Sequence, residues 1–127
     1  MNLLELVNKK PVTCSPKDTL KHVADLMTEN DVGSVVVTEG GRVVGIFTER
    51  DLVRAISSGA QLDEPVAKYM TEDLIFANPN ESVESALTKM LRYGIRHLPI
   101  VDEDKRLLGV VSIRDLVEAL SESLALL

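Results

Sequence analysis

Gly45-Ile46-Phe47-Thr48-Glu49-Arg50-Asp51-Leu52-Val53 returns later in the chain as Gly109-Val110-Val111-Ser112-Ile113-Arg114-Asp115-Leu116-Val117. In each copy an apolar run ends in a hydroxyl residue, and an Asp follows three positions on, where an apolar-periodic segment begins. That order predicts a strand running into a capped helix. The hydroxyl accepts a bond from the orphan N–H groups of the first turn, and the Asp sets a carboxylate near the positive end of the helix dipole. Capping alone accounts for these residues. The same geometry also gathers N–H groups, a hydroxyl, a carboxylate and an Arg at one helix start, a place suited to a ribose and a phosphate.

The flanks repeat as well. Ahead of the first copy, Pro11-Val12-Thr13-Cys14 reads as an extended piece and Ser15-Pro16-Lys17-Asp18 as a turn, since Pro16 disfavours helix at Ser15. Leu20, Val23, Ala24 and Met27 then fall at helical spacing, Asp31 and Gly33 stop the helix, and Ser34 to Thr38 is a β-branched strand. A hairpin turn at Glu39-Gly40-Gly41-Arg42 leads into the strand Val43 to Phe47, and the helix after Thr48 ends at Ser57-Ser58-Gly59. Extended Leu74 to Ala77, a turn at Asn78 to Glu81, a helix through Val83 and Met90, strands at Leu98–Val101 and Leu107–Val111, and a last helix repeat that order. Pro16 recurs as Pro79 and Met27 as Met90, 63 positions on, whereas Gly45 and Asp51 recur as Gly109 and Asp115, 64 on. The extra residue falls in the hairpin turn.

This is an α/β (α+β) chain of two β-α-β-β-α repeats, expected to pack as one pseudo-twofold body because each alone has little interior. The repeats are placed at 8–60 and 72–122, with 61–71 connecting them. Pro65 to Met70 is expected to form a short helix opening the second repeat, and the Leu3-Leu4-Leu6-Val7 stretch to lead into the first.

Composition narrows the function. Of 127 residues 45% are apolar but only 3% aromatic, so Val, Ile and Leu must fill the core. Cys14 is the single cysteine, and with only His22 and His97 besides it no metal-ligand spacing is readable. No Ser-His-Asp or Cys-His set is readable, which argues against an enzyme, and Asp102-Glu103-Asp104 reads as a solvated turn. The net charge of −6, from 14 basic and 20 acidic residues, disfavours a long polyanion such as nucleic acid. It does not disfavour a small anionic ligand, which needs basic groups at one place only. No apolar run reaches the roughly 18 residues of a membrane span, and no signal-peptide order is present, so a cytoplasmic protein is expected.

Gly45-x-x-Thr48-x-x-Asp51, Gly109-x-x-Ser112-x-x-Asp115, and the strand Gly94-Ile95-Arg96-His97-Leu98-Pro99-Ile100-Val101 with its counterpart Val32 to Val37 together resemble a pair of cystathionine-β-synthase (CBS) domains, a Bateman module. The resemblance covers residues 8 to 122. It implies a regulatory module that senses AMP, ADP, ATP or a related adenosyl ligand in clefts between its units. Carried over residue by residue, Asp51, Asp115, Thr48 and Ser112 meet the ribose, Arg96, His97, Arg50 and Arg114 the phosphate, and Val12, Thr13, Ile75 and Phe76 the adenine edge. The chemistry agrees, because a carboxylate accepts from a ribose diol and repels phosphate, whereas Arg does the reverse. Gly33, Ser34 and Val36 stand where the second repeat has Arg96, His97 and Pro99, so the two sites are expected to differ. The resemblance further implies a homodimer, and since the sequence carries no catalytic or transporter domain beside the pair, an effector protein in trans is expected. The competing reading is an interaction or oligomerisation module without a nucleotide ligand.

Overall fold

The structure, a computed structural model, describes residues 2–7 and 10–125. The chain divides into two compact units, one Pro11–Leu74 and the other Met1–Lys10 together with Ile75–Leu127. In Pro11–Leu74 the order is β1 (Thr13–Cys14), α1 (Leu20–Asn30), β2 (Ser34–Glu39), β3 (Arg42–Thr48) and α2 (Glu49–Ser57), then a 3-10 turn at Val66–Lys68. The other unit carries a 3-10 turn at Leu3–Leu6, α3 (Val83–Tyr93), β4 (His97–Val101), β5 (Leu107–Ser112) and α4 (Ile113–Ala125). These are the expected mixed α/β repeats.

The sheets differ for a reason visible in one residue. In the first unit β1 pairs parallel with β2 (Thr13 with Val36), β2 pairs antiparallel with β3, and the Val36 N–H donates to the Val12 carbonyl at 3.1 Å. The second repeat has Pro99 at the Val36 position. Proline has no N–H to donate, so the ladder onto Ile75 cannot close, and only an isolated parallel bridge, Ala77 with Ile100, survives beside the antiparallel pair β4–β5. Both hairpins shift register at the matching place, between Val37 and Thr38 and between Ile100 and Val101. The extra residue does sit in the loop, where five residues separate Val101 from Leu107 and four separate Thr38 from Val43.

Each unit has its own core. Leu20, Val23, Val35, Val37, Phe47 and Val66 are fully buried in one; Leu3, Ala86, Leu98, Ile100, Val111 and Leu116 are in the other. Met27, Met90 and Cys14 are buried among them. Burial, then the nearby Asp18 charge, pushes the Cys14 thiol up to about 12, so at neutral pH it is a packed thiol and not a nucleophile.

The lead-in segments are exchanged relative to the sequence expectation. The segment at Val66–Lys68 packs on the first unit: Val66 N–H donates to the Asp18 carbonyl at 2.7 Å, and Thr71 and Ile46 exchange backbone bonds at 2.9 and 3.0 Å. Leu3, its counterpart, donates to the Glu81 carbonyl of the other unit at 3.0 Å. Val66 and Leu3 each complete the core they enter, and burying a whole aliphatic side chain is worth about 1.5–3 kcal/mol.

Glu81, just ahead of α3, is the main buried charge of its unit. Its carboxylate accepts from the Lys89 ammonium at 2.8 Å, the Ser85 hydroxyl at 2.9 Å and the Asn78 N–H at 3.2 Å. Burial alone raises its pKa, but Lys89, Ser85 and Asn78 outweigh it and hold the carboxyl below its ordinary value. A depressed folded-state pKa contributes stability above the ordinary carboxylate range, and that contribution is lost as pH falls through the folded value. Glu81→Gln is therefore expected to cost about 2 kcal/mol at neutral pH. In urea unfolding at descending pH the variant and the parent should converge; a gap that persists in acid refutes the assignment.

Candidate functional site

The two helix starts are built alike. At α2 the Thr48 hydroxyl accepts from the Asp51 N–H at 3.3 Å, and the Asp51 carboxylate accepts from the Thr48 N–H at 2.9 Å and from the Thr48 hydroxyl at 3.1 Å through the same oxygen, Oδ2. At α4 the Ser112 hydroxyl accepts from the Asp115 N–H at 3.2 Å, and Asp115 Oδ2 accepts from the Ser112 N–H at 2.8 Å. Each is a reciprocal capping pair. The expected caps are thus present, and they occupy one carboxylate oxygen of each Asp.

A residue the sequence did not single out completes the first start. Thr71, delivered by the exchanged lead-in, donates its hydroxyl to Asp51 Oδ1 at 3.0 Å, and Asp51 is 7% exposed. An ionised carboxylate offers about four acceptor sites; three are used here. Asp115 is half-buried, and among the described residues its carboxylate accepts from the Ser112 N–H. The signal for Thr71 was its place beside Met70 at the end of the lead-in, legible only once the lead-in is known to pair with Ile46.

Strand pairing sets what stands beside each start. Glu49 N–H donates to the Gly33 carbonyl at 3.1 Å, and Ser34 lies opposite Thr48. In the second unit Ile113 N–H donates to the Arg96 carbonyl at 2.8 Å, and His97 lies opposite Ser112. Arg96, His97, Ser112, Arg114 and Asp115 therefore share one neighbourhood; in the first unit Gly33 and buried Ser34 take the places of Arg96 and His97. Arg50 and Arg114 are exposed. Arg114 pairs with Glu118 at 3.3 Å on the surface, a contact worth about 0–1 kcal/mol that an anion can replace.

The adenine-edge candidates do not lie against the Asp of their own unit. Strand β2 stands between β1 and β3, so Val12 and Thr13 are two strand spacings, about 10 Å, from Thr48. Val12 spends its carbonyl on Val36, which leaves the Thr13 N–H and C=O pointing outward along a sheet edge. The Phe76 carbonyl accepts from Lys89 Nζ at 2.8 Å, whereas the Ile75 carbonyl has lost its ladder partner to Pro99.

Asp51 and Thr71 open onto a concavity of about 420 Å³, lined also by Arg54, Ala55 and Ser58 of α2 and by Lys68 and Tyr69. Lys68 Nζ sits 2.6 Å from Glu64 and 5.7 Å from the Tyr69 ring centre. The Lys68 and Tyr69 groups and the Gln61 N–H hold the Glu64 carboxyl down to about 2. Among the described residues no group of His, Cys, Asp and Glu is placed to hold a metal ion, and no helix is long and apolar enough to cross a membrane.

The family described as CBS domain matches residues 4–58 and 66–122. The chain belongs to the CBS domain family. An uncharacterized 17.7 kDa protein of Acidianus ambivalens is 44% identical over 117 residues, spanning 91% of this chain and 71% of that protein. The CBS domain-containing protein YhcV of Bacillus subtilis is 39% identical over 105 residues, 82% of this chain and 74% of that one. Among solved structures, a CBS domain protein of Pyrobaculum aerophilum complexed with AMP is 32% identical, with a TM-score of 0.89 and full coverage of both chains. Both matched CBS stretches begin within or beside a lead-in, so a CBS repeat as a stretch of sequence differs from a compact unit of the fold.

Proposed function

We propose that this CBS pair is a regulatory module that binds adenosine nucleotides, with Asp51 and Asp115 accepting from ribose hydroxyls, Thr48 and Ser112 on sugar or phosphate oxygen, and Arg50, Arg96, His97 and Arg114 serving phosphate. The observation that carries this reading is the doubled capped helix start, one copy of which sets a buried carboxylate and the Thr71 hydroxyl at the wall of a concavity. A helix start offers N–H groups and a positive dipole end to an anion, while the carboxylate beside it selects hydroxyls. The AMP complex of the Pyrobaculum aerophilum relative supports the adenosyl class. Outward Thr13 and the unladdered Ile75 carbonyl are the backbone groups best placed for the adenine edge; the carbonyls of Val12 and Phe76 are already engaged.

Calorimetry and thermal unfolding with adenosine, AMP, ADP and ATP test it. A ligand at a hundred times its Kd adds about 2.7 kcal/mol of stability, a rise of several degrees in Tm; no shift with any of the four at millimolar concentration overturns the reading. A second reading, self-association, is favoured by apolar side chains left exposed on α2 and α4: Val53 is 68%, Ile56 52% and Val117 55% exposed. A dimer whose mass and stability ignore every nucleotide would favour it.

A further inference from the structure

The two repeats carry opposite charges at matching positions along the helix away from the Asp. In Pro11–Leu74 a groove lies between α2 and the Val66–Lys68 turn, with Asp51 and Thr71 at one end and Arg54, Ser58, Lys68 and Tyr69 along it. Matching the repeats by Asp51 with Asp115, and the lead-ins by Val66 with Leu3, sets Arg54 against Glu118, Ser58 against Glu122, Lys68 against Glu5 and Tyr69 against Leu6. Two cations and a hydroxyl in one repeat are three acids in the other. Packing does not explain the difference, since Arg54, Ser58 and Lys68 are all exposed.

From this juxtaposition we infer that the α2 groove is an anion site that takes the di- or triphosphate tail of a ligand. Arg54 presents a planar fork of donors suited to a phosphate edge, and Lys68 presents a compact ammonium with three donors. Glu64 already pairs with Lys68 at 2.6 Å, but on an exposed ammonium that bond leaves donors for a second acceptor. Ser58 and Tyr69 line the same concavity, their hydroxyls donating to the Ala55 carbonyl at 2.9 Å and to Glu64 at 2.7 Å, so each offers a tail its remaining polar surface and not a free proton. Asp51, at the far end, would repel phosphate; it directs the tail toward Arg54 and the sugar toward itself. The inference rests on the reading of Asp51 as a ribose contact for the nucleotide's orientation, though not for the existence of an anion site. The equivalent face of the other repeat, with Glu5, Glu118 and Glu122, rejects such a tail.

The test uses the full chain and the double variant Arg54→Glu/Lys68→Glu, which carries the acids of the other repeat; Arg54→Gln/Lys68→Gln guards against misfolding, with circular dichroism as the check on both. The probes are tripolyphosphate, adenosine and ATP, followed by calorimetry and by amide shifts in ¹H–¹⁵N spectra. Tripolyphosphate is expected to move the amides of Arg54, Ser58 and Tyr69 in the parent and not in either folded variant. ATP should bind the parent about tenfold or more tighter than adenosine, the effect of one good charged contact; the variants should lose that ratio while adenosine affinity holds. Tripolyphosphate shifts without any adenosine binding would keep the groove and remove the ribose reading. Absent tripolyphosphate shifts, or an ATP-to-adenosine ratio untouched in both variants, overturn the inference.

Discussion

Replacing Gly109 with valine is expected to lower the unfolding free energy by about 3 kcal/mol, the upper part of the range for forcing bulk into a packed site. A Cβ built on Gly109 meets Val7 Cγ1 at 2.9 Å, Cγ2 at 3.2 Å and Cβ at 3.4 Å. Val7 is branched at Cβ and stiff at χ1, and its Cβ itself stands at 3.4 Å, so turning the methyls away costs a disfavoured rotamer. The matching contact in the first unit is nominally closer, with Met70 Sδ at 2.5 Å and Cγ at 2.9 Å from a Cβ on Gly45. Methionine, however, has three rotatable bonds and can swing away, so Gly45→Val should cost less, about 1 kcal/mol, the lower end of the same range. Val7→Ala placed in the Gly109→Val background should recover about 1 kcal/mol or more, read as coupling in a double-mutant cycle of urea midpoints. Equal costs at Gly45 and Gly109, or no coupling to Val7, would refute this account of the motif glycine.

That account shows where sequence reasoning stopped. Gly45 and Gly109 were legible as repeating positions, and the hydroxyl and Asp as caps, because capping is settled by residues three apart. The role of the glycine is not local. Its missing Cβ admits a lead-in from twenty or more residues away, and nothing in the Leu3–Val7 or Val66–Met70 patterns says which unit they join. Thr71 was hidden for the same reason, since its hydroxyl reaches Asp51 only after that lead-in has paired with Ile46. The missing strand at Ile75 was readable in principle: Pro99 cannot donate to the ladder that Val36 closes. Arg54 and Lys68 carry no motif and share one concavity only in three dimensions.

Asp51→Asn should separate the two jobs assigned to that carboxylate. As a cap and as the partner of Thr71, Asp51 makes three bonds at 2.9–3.1 Å; losing their charge-assisted part is expected to cost about 1–2 kcal/mol of stability. Asp115, which among the described residues accepts one bond, at 2.8 Å from the Ser112 N–H, should cost less on the same change, about 0.5–1 kcal/mol. Stability alone cannot distinguish a cap from a ribose contact, so the decisive comparison adds a ligand lacking the diol. If Asp51 accepts from the sugar, adenosine should lose about tenfold or more in affinity on Asp51→Asn, whereas 2′,3′-dideoxyadenosine should bind both proteins equally and weakly. The coupling between the acid and the diol would then be about 1.5–3 kcal/mol, the range for a hydrogen bond to a charged group. Equal binding of the two nucleosides by the parent, with Asp51→Asn lowering only Tm, would confine Asp51 to the helix start. The same cycle at Asp115 then reports whether the second constellation also holds a sugar.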